Sequence, residues 1–142
     1  MKKVISVILS LLMLTTLASC ITKTSYYHNY EESITEKIEI IYIDRDKDRE
    51  NKSLVYPLTN EEISECLLAL SKIEFGHVFI GTTPTYPNRY CLKITFNDGK
   101  YVIIGTGGAE FYAEDGTLEK WNYYRCSKED FDNLIAKFIS VS

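Results

Sequence analysis

Tyr90-Cys91-Leu92-Lys93-Ile94-Thr95-Phe96-Asn97-Asp98-Gly99-Lys100-Tyr101-Val102-Ile103-Ile104-Gly105-Thr106 decides the fold class. Two runs rich in β-branched and aromatic residues flank Asp98-Gly99, a pair suited to a tight hairpin because both central residues of a type I′ turn take positive φ. A two-residue loop sets Phe96 opposite Tyr101, Ile94 opposite Ile103 and Leu92 opposite Gly105, which predicts that this set faces the core. The alternate set, Cys91, Lys93, Thr95, Val102 and Ile104, then lies on the second face of the sheet. That second face is more apolar than contact with water alone requires.

Working outward, Asp115-Gly116 joins Glu110–Ala113 to Leu118–Tyr124 in the same way, and Tyr112, Trp121 and Tyr123 share a face of this hairpin; spacing does not fix which side of the sheet that is, and on the second face they would extend the apolar patch. Upstream, Ile38, Ile40 and Tyr42 alternate with Lys37, Glu39 and Ile41 at strand spacing. Ser53 to Tyr56 reads as a short edge strand stopped by Pro57, and residues 76–81 as another strand. Thr59 and Glu62 have capping-box spacing, with Leu58 and Ile63 placed as a hydrophobic staple. The helix they open carries Ile63, Cys66, Leu67 and Leu70 on one stripe. Ser127 with Asp130 caps a last helix whose stripe is Phe131, Leu134, Ile135 and Phe138.

Two one-sided helices need one sheet face to lie on, so an α+β fold is expected, with an antiparallel sheet of about five to six strands and both helices packed on one face. The β-α-β4-α order resembles that of the TATA-binding-protein-like fold, and this resemblance implies architecture without function.

The N-terminus sets the address. Lys2 and Lys3 precede an apolar run from Val4 to Leu17, which ends in Leu17-Ala18-Ser19-Cys20. A 14-residue helix spans only ~21 Å, short of the ~30 Å hydrocarbon core, so the run is not a membrane span. The basic start, apolar run, small residues and following cysteine resemble the signal peptide of bacterial lipoproteins. That resemblance implies a signal peptide over residues 1–19, a diacylglycerated Cys20 as mature N-terminus, and attachment at the extracytoplasmic side of a membrane. Ala18 and Ser19 also suit cleavage without lipidation, which is the competing reading. Acyl chains anchor firmly because each buried CH₂ contributes ~0.8 kcal/mol. Ile21 is not the aspartate associated with inner-membrane retention, which tilts the expectation toward an outer membrane where one exists. Residues 20–33 are read as the lipidated cysteine and a flexible tether, reaching at most ~43 Å when extended, and residues 34–142 as one α+β globular domain.

Removal of 19 of the 142 residues leaves 123, enough for one domain, with 14 basic against 20 acidic side chains and a net charge of −6. An acidic surface gives nucleic-acid binding no electrostatic support. The chain's 11 tyrosines suit both sheet faces and interfaces.

Candidate chemistry is sparse. Asp44, Asp46 and Asp48 alternate as in a calcium loop, but Arg49 stands at the glycine position and Val55 at that of the bidentate glutamate, so the stretch from Asp44 to Lys52 reads as a solvated charged loop. Cys66, Cys91 and Cys126 are odd in number, and strand spacing separates Cys91 from Cys126 in a simple meander. Three unpaired thiols are expected, a Cys91–Cys126 bridge requiring another strand order. Their scatter does not suit metal ligation. His28 lies in the tether and His77 in a strand, neither with a base's partners. Gly105-Thr106-Gly107-Gly108 opens no helix, so it reads as a tight connection or bulge rather than a phosphate loop. Glu61, Glu62, Glu129 and Asp130 fall in first helical turns, where the helix dipole favours them.

These features favour a non-enzymatic envelope protein with no cofactor or metal, whose partners are the lipid anchor and an envelope protein, peptide or wall component bound on the open sheet face. Tyr112, Trp121, Tyr123, Val102 and Ile104 are the candidate contact residues. The alternatives are an inhibitor that protects against a toxin or lytic enzyme, for which acidity favours steering toward basic enzymes, and a hydrolase without a recognisable motif.

Overall fold

The computed structural model describes residues 23–24, 34–46, 49–77, 89–122 and 124–140. Along the chain run β1 (Lys23–Thr24), β2 (Thr35–Asp46), β3 (Arg49–Pro57), α1 (Asn60–Leu70), β4 (Phe75–His77), β5 (Arg89–Phe96), β6 (Tyr101–Gly105), β7 (Gly108–Tyr112), β8 (Leu118–Asn122), β9 (Tyr124–Arg125) and α2 (Lys128–Ile135). Six strands form one antiparallel sheet in the order β3-β2-β5-β6-β7-β8, and three short strands form a second in the order β1-β4-β9. Antiparallel sheet with two helices makes the fold α+β.

Both Asp-Gly hairpins form, but with three-residue loops instead of two. Gly99 N–H donates to the Phe96 carbonyl and Phe96 N–H to that of Lys100, while Gly99 takes φ +82°. Ala113, Gly116 and Thr117 repeat the pattern, with φ +85° at Gly116. Such a loop needs positive φ at one residue, and the aspartate ahead of each glycine serves it differently: its carboxylate accepts a backbone N–H two residues on, from Lys100 (3.1 Å) and Thr117 (2.9 Å). The Thr117 N–H also holds the Asp115 carboxyl below its ordinary pKa. The two-residue loop sits at Thr106-Gly107, between the paired Gly105 and Gly108.

One extra loop residue shifts the pairing by one, and a one-residue shift turns every side chain to the other face. Leu92 pairs with Ile104, Lys93 with Ile103 and Ile94 with Val102. Val102 and Ile104 therefore join Leu92 and Ile94 in the main core, each 0% exposed, while Ile103 goes to the opposite face.

The charged stretch from Asp44 is not a loop. β2 runs to Asp46 and β3 starts at Arg49, with Asp46 opposite Arg49 and Arg45 opposite Glu50 in the register. Lys23–Thr24, within the stretch expected as tether, pair with Gly76 and Phe75 of β4. β4 covers only the start of the strand expected over residues 76–81, the remainder lying outside the described residues.

Thr59 caps α1 with both capping-box bonds: Glu62 N–H donates to Thr59 Oγ1 at 3.4 Å, and Thr59 N–H to Glu62 Oε2 at 2.8 Å. Ser127 caps α2, its Oγ accepting from Asp130 N–H. Ile63, Cys66 and Leu70 of α1 and Phe131, Leu134 and Ile135 of α2 belong to one buried cluster with Ile38, Ile40, Leu92, Ile94, Val102, Ile104 and Ala109. Each large side chain in it contributes about 1.5–3 kcal/mol by leaving water.

Thr59→Ala is expected to cost about 1 kcal/mol in urea unfolding at pH 7. The Thr59 backbone N–H holds the Glu62 carboxyl below its ordinary pKa, so the stability it adds is present above the unfolded value and fades as pH falls through the folded one. An acid titration of stability in Glu62→Gln should accordingly be flatter than in the parent over that range.

Candidate functional site

The sheet face away from the main core carries its own cluster. Ile41, Ile43, Cys91 and Ile103 are each 5% exposed or less, and Tyr101 and Tyr112 pack against them. Among the described residues no helical residue belongs to this cluster; Tyr101 and Tyr112 pack on it, and a lysine lies over each ring. Tyr101 and Tyr112 are cross-strand partners whose rings stack at 4.8 Å between centroids and 11° between planes. Lys93 Nζ lies 4.6 Å from the Tyr101 ring centroid and 3.7 Å from Glu39 Oε2. Lys52 Nζ lies 4.8 Å from the Tyr112 centroid and donates to Tyr112 Oη at 3.1 Å. Tyr112 in turn donates to Glu110, itself 6% exposed, at 2.5 Å. Each lysine places its ammonium over a ring face.

These contacts define the shape of the face. Lys52 belongs to the edge strand β3 and Tyr112 to β7, with β2, β5 and β6 between them. Four strand spacings cover about 19 Å in a flat sheet, more than the two side chains reach, so the sheet curls with this face on the inside. The curl leaves two spaces. One, of about 20 Å³, lies among Ile43, Arg89, Cys91, Ile103, Gly105 and Glu110, and is about the size of one water. A Cβ on Gly105 would meet Cys91 Sγ at 3.1 Å, so that glycine keeps this corner open. Arg89 closes one end by donating to Thr106 Oγ1. The other space is a groove of about 190 Å³ lined by Ile41, Ile103, Leu54, Tyr101, Glu39, Lys52 and Lys93 with Ser53.

Of the expected contact residues, Tyr112 lies on this face, and Trp121 is placed there too, being opposite Glu110 in the register. Val102 and Ile104 do not: both are fully buried in the main core, the outcome of the three-residue loop. Tyr123, Cys20, Leu17, Ala18, Ser19 and His28 lie outside the described residues. Alternation along β5 does reveal Lys93 on this face; what it misses is Lys52, whose ring partner is 60 residues away in sequence.

Cys66, Cys91 and Cys126 are free thiols. Burial pushes the thiols of Cys66 and Cys126 up to about 12, leaving almost no thiolate at neutral pH, so neither is a ready nucleophile. Glu61, Glu62, Glu129 and Asp130 do occupy first helical turns, with Glu62 and Asp130 engaged in the caps. Among the described residues, no three His, Cys, Asp or Glu side chains converge as a metal site, and no helix is long and apolar enough to cross a membrane.

Comparison of the chain with protein-family models, curated proteins and solved structures finds no match in any of the three.

Proposed function

We propose that this protein is a non-enzymatic binding module, anchored at the extracytoplasmic side of a membrane through a lipidated Cys20, that captures its partner in the concave face of the six-stranded sheet. In this reading both helices lie on the opposite face, which their shared cluster with Ile38, Ile40, Leu92 and Ile94 supports. The observation that carries the proposal is the second cluster: an apolar floor on which, among the described residues, Tyr101 and Tyr112 pack, with Lys93 and Lys52 over their rings, beside a groove with Leu54 59% exposed at its wall. Aromatic and long cationic side chains around an apolar floor combine contact area with polar tips that fix orientation, as binding surfaces require.

The test is crosslinking in intact cells before detergent extraction, comparing the parent with Tyr101→Ala and Cys20→Ser. The expected result is a specific adduct that Tyr101→Ala loses while keeping its melting behaviour, and that Cys20→Ser loses together with membrane partition. An adduct undiminished in a folded Tyr101→Ala chain would move the binding surface elsewhere, and membrane partition by Cys20→Ser would remove the lipid anchor.

A further inference from the structure

We infer that the concave face is closed by a strap, Lys52 of β3 latched to Tyr112 of β7, and that a partner reaches the apolar floor only once the strap parts; this adds a gate to the binding reading and rests on it. The starting observation is that the floor is apolar yet hidden: Ile41, Ile43, Cys91 and Ile103 are each 5% exposed or less. The surface a partner would contact is out of reach while the cover holds. Lys52 stands opposite Ile43 on the edge strand, with its ammonium 4.8 Å from the Tyr112 ring centroid and donating to Tyr112 Oη at 3.1 Å. Tyr112 is fixed on its own side, stacked on Tyr101 and donating to the buried Glu110. The anchored end of the latch is therefore β7, and the moving end is β3.

The moving end is suited to swing. Within the six-stranded sheet β3 is an edge strand joined to β2 alone, and a register shift between Ile40 and Ile41 interrupts that pairing beside Leu54. β5 begins at Arg89, opposite Ile43, so among the described residues β2 beyond Ile43 pairs only with β3. A two-stranded ribbon bends and twists more readily than a sheet interior. The layer beneath is incompletely filled as well: the cavity of about 20 Å³ reaches Ile43, Cys91 and Ile103, and the groove of about 190 Å³ is lined by Lys52 and Tyr101. Side chains next to empty space lose packing contacts, so this layer opens at lower cost than the main core, to which both helices contribute. Lys93 makes a contact of the same kind with Tyr101, but β5 and β6 are neighbours in the sheet, so it spans no other strand.

Two thiols report the gate: Cys91 belongs to the floor, and Cys66, 0% exposed in the main core, reports global opening. The test is N-ethylmaleimide labelling of the full chain in detergent micelles, read site by site by mass spectrometry, in the parent, Lys52→Met and Lys93→Met. Lys52→Met is expected to speed Cys91 labelling about tenfold, the factor for one lost hydrogen bond to a charged group, with Cys66 unchanged. Lys93→Met is expected to stay within about twofold of the parent. In the intact-cell crosslinking, Lys52→Met is expected to raise the adduct yield, since a binding-competent state populated more often binds with higher apparent affinity. Cys91 labelling in Lys52→Met within about twofold of the parent, an equal rise in Lys93→Met, or a rise of Cys66 in step with Cys91 overturns the strap, while the adduct decides the binding reading separately. A fall in adduct beside faster Cys91 labelling overturns the gate and makes Lys52 a contact residue. Faster Cys91 labelling with no adduct from any chain removes the binding reading and leaves the strap.

Discussion

Gly108→Ala is expected to cost about 3–5 kcal/mol of unfolding free energy, a large part of what holds a domain of this size together. Gly108 opens β7 at φ +145°, where an L side chain is strained, and an added Cβ would sit 2.2 Å from the Asn122 carbonyl oxygen. The obstacle is backbone on a neighbouring strand, so no rotamer change relieves it: β7 and β8 must separate or the Thr106-Gly107 turn must open. Gly76→Ala is the control, because its nearest neighbour is the Arg125 carbonyl at 4.0 Å, and it is expected to shift stability by less than about 1 kcal/mol. Urea unfolding of both variants checks the contrast. A Gly108→Ala chain within 1 kcal/mol of the parent would mean that the two strands do not approach this closely.

Ile104→Asp is expected to leave the chain unfolded at 25 °C, shown by lost near-UV circular dichroism and collapsed amide dispersion. Ile104 is 0% exposed between Leu92 and Ala109 in the register, within the main core. The substitution removes its packing and buries a carboxylate without a partner, together more than about 5 kcal/mol. Leu54→Asp, at a side chain 59% exposed, is the paired control and is expected to stay within about 0.5 kcal/mol of the parent. The pair reports directly on loop length at Asp98-Gly99. With a two-residue loop Ile104 would face outward and accept an aspartate, so a folded Ile104→Asp domain would restore that register.

The elements whose instructions are local were legible. Thr59 with Glu62 and Ser127 with Asp130 mark helix starts whose capping bonds span three residues, and the apolar stripes behind them follow a period that tertiary contacts only need to cover. Both Asp-Gly hairpins were legible as hairpins, since Gly99 and Gly116 relieve the strain that would otherwise oppose the turn. Their loop length was not. Asp-Gly serves a two-residue loop and a three-residue loop almost equally, so the dipeptide does not choose between them. That single residue moved Val102 and Ile104 from the expected contact surface into the core.

The sequence by itself determined the class of the fold, the positions of both helices, the hairpins and the alternation that divides β2 and β5 into two faces, because each rests on periodicity or on bonds between near neighbours. It also carries the whole argument for a lipidated N-terminus, which lies in residues 17–20. Only the tertiary structure decided which β6 residues face which side, that the charged stretch after Ile43 is a paired ribbon, and that the sheet curls until Lys52 reaches Tyr112. The physical reason is common to all three: strand register and sheet curvature are set by contacts between residues far apart in the chain, and a shift of one position costs little locally while exchanging every side chain between the core and the concave face.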